Sequence, residues 1–231
     1  MAPTVAIIIP VLNERIFIID ALQHVSYLGA DEIIIVDGNS TDGTYELVKK
    51  RFPYVRCLRT ECSNRAIQMN LGAREALSDI LVFLHVDVRL PVDSMNTIRT
   101  KIQYGYIGGG FKKKYKPSTG VLNAYQFLLN NIYLGFLRNL VGTNVIFVRR
   151  DLFTTLKGFP EVDFMEDVVF AQVFKKAGRL AVISEPVIVS ARRYKTNGVL
   201  KQIVRNARII FGFQCLRHQP EQLKKVYTAN A

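Results

Sequence analysis

An α/β fold with a mostly parallel central sheet and helices on both of its faces is what the sequence predicts, on three observations. Four short runs, Val5 to Ile9, Glu32 to Val36, Val55 to Leu58 and Ile80 to Leu84, are β-branched or leucine-rich with few charges, as strands buried on both faces should be. Between them Asn13 to Leu28, Thr41 to Phe52 and Ser63 to Leu77 have helical spacing. The resulting β-α-β-α-β-α-β alternation implies parallel pairing through right-handed crossovers.

The elements follow in order. "VAIIIPVLNE" lacks the positive region and small-residue cleavage site of a leader and reads as the first strand. After Pro91 comes a helix to about Gln103, then a glycine-rich turn and strand around "IGGGFKKKY". Val121 to Leu137 is uncharged and apolar almost all round, which predicts a buried helix; Asn123, Gln126, Asn130 and Asn131 argue against a spanning one. "NVIFVRR" predicts a strand, "FMEDVVFAQVFKKAG" a helix stopped at Gly178, "RLAVISEPVIVSARRY" a strand pair, and the basic C-terminus a helix.

A chain of 231 residues with 49% hydrophobic and 22% charged residues and no low-complexity tract is a folded protein, and it shows no linker-like boundary. We expect a single domain over 1–231, with a first part at 1–90, a second at 91–195, and a C-terminal helix and tail at 196–231. The net charge of +12 implies an anionic partner, whether nucleic acid, acidic lipid or a phosphorylated small molecule. Cys57, Cys62 and Cys215 have neither metal-ligand spacing nor an even count, so a reduced cytoplasmic compartment is expected.

Chemistry concentrates where strands end. "IIIVDGNSTDGT" leaves a strand through Asp37 and enters a helix, so Asp37 can accept hydrogen bonds from a base or ribose, while Ser40 and Asp42 suit helix capping. "LVFLHVDVRLP" delivers His85 and Asp87 to the mouth of the sheet. There a single carboxylate can share a Mg²⁺ or Mn²⁺ ion with substrate phosphates, or both residues can simply be solvated. "FMEDVVF" puts Glu166 and Asp167 at a helix start; that is ordinary capping, or a general base beside a positioning carboxylate. Arg65, opening the helix of "SNRAIQMN", has the planar fork that suits phosphates, and it also reads as solvated surface.

Taken in order, "VAIIIPVLNE", "IIIVDGNSTDGT", "NRAIQMNLGA", "LVFLHVD" and "MEDVVF" resemble the family 2 glycosyltransferases and their GT-A fold, over Val5 to roughly Arg193. The resemblance is greatest to a small bacterial branch that reads "LHAD" where this chain reads "LHVD". It implies an inverting transfer of a sugar from a nucleotide diphosphate donor to a hydroxyl. In that scheme Asn13 and Glu14 lie in the first nucleotide loop, Asp37 contacts base or ribose, Asp87 binds Mg²⁺ or Mn²⁺, and Asp167 is the base. Arg192 and Arg193, after the strand "PVIVSA", would lie near the diphosphate. Two residues depart from the pattern: His85 replaces the first aspartate of the Asp-x-Asp element, and Gly38 replaces the second of the "DDGS" turn. His85 is then expected to contact the donor or hold the loop, since imidazole is a poorer Mg²⁺ ligand than carboxylate. The family's late metal-binding histidine is missing, and His218 lies near the tail.

Other classes weigh less. A nucleotidyltransferase would need a glycine-rich basic loop after the first strand, and "PVLNERIF" has no glycine. A non-catalytic nucleotide-sugar or RNA-binding protein finds support only in Tyr115 beside "KKK" and Tyr194 beside "RR", so nucleic acid is disfavoured as a partner. In the C-terminal helix Leu200, Ile203, Val204, Ala207, Ile210 and Phe211 form a stripe, and Lys201, Arg205 and Arg208 a basic face, which suits an anionic membrane surface. The expectation is a cytoplasmic enzyme, peripheral at the inner face of the plasma membrane, with a lipid-linked hydroxyl acceptor.

Overall fold

A computed structural model describes residues 2–214, 216, 219–220 and 222–224. Cys215 and His218 lie outside them. In chain order the elements are β1 (Val5–Val11), α1 (Ile18–Ser26), β2 (Glu32–Asp37), α2 (Thr44–Arg51), β3 (Arg56–Arg59), α3 (Arg65–Glu75), β4 (Ile80–Phe83), β5 (Val88–Arg89), α4 (Ser94–Gln103) and β6 (Gly108–Lys116). There follow α5 (Gly120–Leu128), continued as a π-helix (Leu129–Phe136), then β7 (Ile146–Arg149), α6 (Arg150–Thr155), α7 (Glu166–Phe174), β8 (Leu180–Ser190), α8 (Arg192–Asn197) and α9 (Val199–Gln214).

One eight-stranded sheet runs in the order β3-β2-β1-β4-β7-β6-β8-β5. Its first four strands pair in parallel, with Ile8 opposite Ile34 and Ile7 opposite Val82. β7 then joins antiparallel to both β4 and β6, β6 pairs β8 in parallel, and β5 closes the far edge antiparallel to β8. Because side chains alternate along a strand, β1 feeds two cores. Val5, Ile7 and Ile9 pack with Ile18, Leu22 and Val25 of α1, while Ala6 and Ile8 pack with Ala66, Met69 and Ala73 of α3. That double burial is why the strand carries almost nothing polar. Gly72 lets α3 lie close on β1, since a Cβ there would sit 2.5 Å from an Ile8 methyl.

Several expectations are corrected. The strand pair proposed around "RLAVISEPVIVSARRY" is one strand: Ile183 pairs Phe111 and Val187 pairs Lys113, so the irregularity absorbs Pro186, which has no N–H to give to a ladder. Val121 to Leu137 is not a buried helix. Leu122, Asn130, Tyr133 and Leu134 face inward, but Phe127 is 65% and Phe136 81% exposed. Its polar residues cover a strand edge. Beyond Gly109, β6 has no strand on its β7 side, and the backbone groups left open there are satisfied from this segment. Asn130 accepts from the Lys113 N–H (2.9 Å) and donates to the Lys113 carbonyl (2.8 Å), and Gln126 accepts from the Tyr115 N–H (2.9 Å). In α9 the face is also not as expected. Arg205 is buried with Gln202 and Ile209, while Leu200, Val204 and Phe211 are exposed beside Lys201 and Arg208. No helix among the described residues is long and apolar enough to cross a membrane.

Candidate active site

The chain order 3-2-1-4 reverses direction between β1 and β4, and in open α/β sheets ligands bind at the carboxyl ends of strands at such a point. A cavity of about 540 Å³ opens there, lined by Glu14 after β1, by Arg65 of α3, and by His85 and Asp87 after β4. Glu166 and Asp167 of α7 and Arg192 and Arg193 of α8 complete the ring. Eight candidates from distant parts of the sequence thus share one site.

The remaining two candidates, Asn13 and Asp37, do not line it. Asn13, at φ 54°, staples the first loop to the second: its N–H donates to Ser40 Oγ (2.9 Å) and its Oδ1 accepts from the Thr41 N–H (2.9 Å). Asp37 is fully buried, and its Oδ1 accepts from the Ser40 N–H (2.9 Å) and from Arg59 Nε (3.2 Å). Its Oδ2 has no hydrogen-bond partner, so one acceptor position remains for a donor group. The capping reading is corrected: the N-cap of α2 is Gly43, Ser40 is taken up by Asn13, and Asp42, one residue further out, accepts from the Thr44 N–H (3.0 Å).

Gln68 carries no sequence signal of its place in the site. Buried in α3, it donates to the carbonyls of Val11 (2.9 Å) and Val36 (2.7 Å), tying the ends of β1 and β2 together beneath the cavity. A Cβ on Gly38 would lie 3.0 Å from the Gln68 amide, which accounts for glycine where the family pattern has aspartate.

At the opposite wall Met165 adopts a left-handed backbone (φ 64°) directly ahead of α7, a conformation unfavourable for a side chain of that size. The bend presents both carboxylates. Glu166 is buried, and Arg65 Nε pairs with its Oε1 at 2.9 Å. Arg65, expected at donor phosphates, therefore engages Glu166 while lining the cavity. Burial, and then the Asp167 charge, raise the Glu166 pKa, with Arg65 opposing. Asp167 is half-buried and accepts from the Val168 N–H (2.7 Å).

Burial, helped by the Arg65 and Arg193 charges, pushes His85 down to about 3, which favours the neutral imidazole. Glu14 is raised by burial, Arg192 opposing and Asp87 adding to the rise. Arg192 also stacks over Phe17, 4.6 Å from the ring centroid. Among the described residues no group of three or more His, Cys, Asp or Glu side chains forms a ready-made cage. The donor set is therefore one hard carboxylate, Asp87, with Glu14 in electrostatic reach. That fits a cation whose remaining ligands come from a bound diphosphate and water.

Lys113 is a second feature without a sequence signal. It lines the cavity from β6, 3% exposed, with Nζ donating to Thr143 Oγ1 (3.0 Å). Burial pushes its pKa down to about 8, the Asp167 charge opposing. Tyr125, Tyr133, Gln202 and Asn206 line the same side.

The sequence matches the family model described as Glycosyl transferase family 2 over residues 6–156. A search of curated proteins finds no match. Solved structures share the fold at low identity. TarS from S. aureus superposes with a TM-score of 0.68 at 16% identity over 98% of this chain, which spans 42% of that protein. The mannosyltransferase PcManGT from Pyrobaculum calidifontis, in complex with GDP-Man and Mn²⁺, gives 0.63 at 20% identity over 100% of this chain and 71% of its own. Glucosyl-3-phosphoglycerate synthase from Mycobacterium tuberculosis, with Mn²⁺, UDP and glucosyl-3-phosphoglycerate, gives 0.61 at 20% over 89% and 79%. The mixed sheet with flanking helices is thus a GT-A glycosyltransferase fold. With the family match spanning well over half of the sequence and every motif from β1 through Asp87, the chain belongs to glycosyl transferase family 2.

Proposed function

We propose that the chain moves a sugar, with inversion, from a nucleoside diphosphate donor to an acceptor hydroxyl. The observation that carries this is the single cavity in which Asp87, Arg192 and Arg193 meet Glu166 and Asp167. Residues 1–90 act as the donor half, 91–195 as the acceptor and catalytic half, and 196–231 as an accessory helix and tail. Asn13 and Glu14 shape the first nucleotide loop, and Asp37, buried outside the cavity lining with one unpartnered oxygen, is assigned to base or ribose on the family pattern. Asp87 would hold Mg²⁺ or Mn²⁺ against the diphosphate, and the cation supplies Lewis-acid neutralisation of the leaving group. Arg192 and Arg193 add fixed positive charge beside it. His85 contacts the donor or holds its loop. Asp167 accepts the proton of the attacking hydroxyl, and Glu166, held by Arg65, keeps the wall in place.

The solved neighbours that contain UDP, or GDP-Man with Mn²⁺, support a nucleotide-sugar donor on this fold. A lipid-linked acceptor at the cytoplasmic membrane surface is supported by the exposed apolar side chains of the π-helix and α9, beside Lys201 and Arg208. The test is calorimetric titration of UDP-glucose and GDP-mannose with and without Mn²⁺. Asp87→Asn should abolish the metal-dependent part of donor binding and leave the melting temperature in place. Metal-dependent affinity that survives the substitution sinks the assignment of Asp87.

A further inference from the structure

Strand alternation puts Phe111, Lys113 and Tyr115 on one side of β6, and both aromatic neighbours are core residues. Lysine at such a position is rare unless paired, because its ammonium loses solvation there. Lys112 and Lys114 face the other way: Lys112 donates to Asn131 Oδ1 (3.1 Å), and Lys114 is exposed. Lys113 instead enters the cavity. Its single hydrogen-bond acceptor among the described residues is Thr143 Oγ1, and no carboxylate of theirs comes within ion-pair distance. Two of its three N–H groups are therefore left for something in the cavity.

The position says which ligand. Lys113, Tyr133 and Asp167 line one cavity; burial raises the Tyr133 pKa and the Asp167 charge adds to it, and the same charge opposes the fall at Lys113. Arg192 and Arg193 enter from α8, ahead of Glu14 and Asp87, on the side read as the diphosphate's. Lys113 belongs to the wall where the acceptor hydroxyl must lie to reach Asp167.

We propose that Lys113 binds an anionic group, phosphate or carboxylate, carried by the acceptor near the hydroxyl that receives the sugar. This rests on the glycosyl-transfer reading of the cavity. A buried ammonium meeting an oxyanion forms charge-assisted hydrogen bonds in a water-poor site, and these select for acceptors bearing that charge. Neutral acceptors leave the ammonium buried and unpaired, which is the stronger source of discrimination.

The experiment uses the full chain saturated with Mn²⁺ and UDP or GDP, so that the diphosphate subsite is filled, and titrates glycerol 3-phosphate, glycerate and glycerol. The anions should bind and glycerol should not, and the tighter of the two anions identifies the group. Lys113→Gln should weaken anion binding by about tenfold to a hundredfold, the worth of a hydrogen bond to a charged group, while leaving nucleotide affinity intact. Lys114→Gln, on the exposed face, should change neither. If the glutamine variant fails to fold, Lys113→Met, matched to the apolar face, replaces it. Equal anion binding by the Lys113 variant, no anion binding by the unmutated chain, or binding of glycerol as tight as of its phosphate overturns the proposal. Failure of nucleotide and Mn²⁺ to bind at all would overturn the reading beneath it.

Discussion

Single residues divide the work by environment. Two adjacent carboxylates in α7 face different surroundings: Glu166 is buried against Arg65, whereas Asp167 is half-buried and lines the cavity beside Lys113. Asp167→Asn should leave donor affinity nearly unchanged and lower transfer about a hundredfold to ten-thousandfold, the usual worth of a positioned base. Glu166→Gln, which removes the charge that Arg65 meets, should lower the melting temperature more than the rate. Turnover and melting curves on both variants check this, and a reversed pattern would make Glu166 the base. The cavity's acidic and cationic groups are legible in the sequence because each sits where a periodic run breaks off. Gln68 and Lys113 are not. Glutamine inside a helix carries no sign of what it will cap, and one lysine among three consecutive lysines stands out only when Phe111 and Tyr115 are counted as inward-facing neighbours.

Elements are legible in proportion to how far local chemistry decides them. The strands of the parallel half are recognisable because burial on both faces leaves them almost no polar residues. Periodicity places helix starts too early: α1 begins at Ile18 rather than Asn13, because residues 13–15 are bonded to Ser40, Thr44 and Asp42 of the neighbouring loop. That pairing is tertiary and leaves no periodic trace. The uncharged segment misleads for a related reason. Its apolar surplus suggests complete burial, whereas its asparagine and glutamine side chains cover a strand edge, where bare backbone groups invite wrong pairing. Asn130→Ala should therefore strand the N–H and carbonyl of Lys113 and cost about 1–3 kcal/mol for each buried group left unsatisfied, seen as a shifted midpoint in urea. A change at exposed Asn123 should leave that midpoint in place.

Across the whole molecule, the two helical segments that line the Tyr133 side of the cavity also expose large apolar side chains. Tyr133 Oη is bonded to Gln214 Nε2 (3.1 Å), so the π-helix and α9 lie side by side. Phe127, Ile132, Phe136 and Phe211 offer an apolar surface, and Arg138, Lys201 and Arg208 are exposed cations. Co-sedimentation with vesicles containing anionic lipid should capture the chain at low salt. Phe127→Ser with Phe136→Ser should weaken capture more than Lys201→Glu with Arg208→Glu, because Arg205 is buried and only part of the basic face is presented. No capture of the unmutated chain would favour a freely diffusing acceptor. The sheet order carries one more consequence. Asp87 lies between β4, at the centre, and β5, at an edge that exists only once β8 is in place, since Val88 pairs with Val189. Closing so long a loop is slow and entropically costly. During synthesis the turn bearing Asp87 lacks its pairing to β8 until Val189 has left the ribosome.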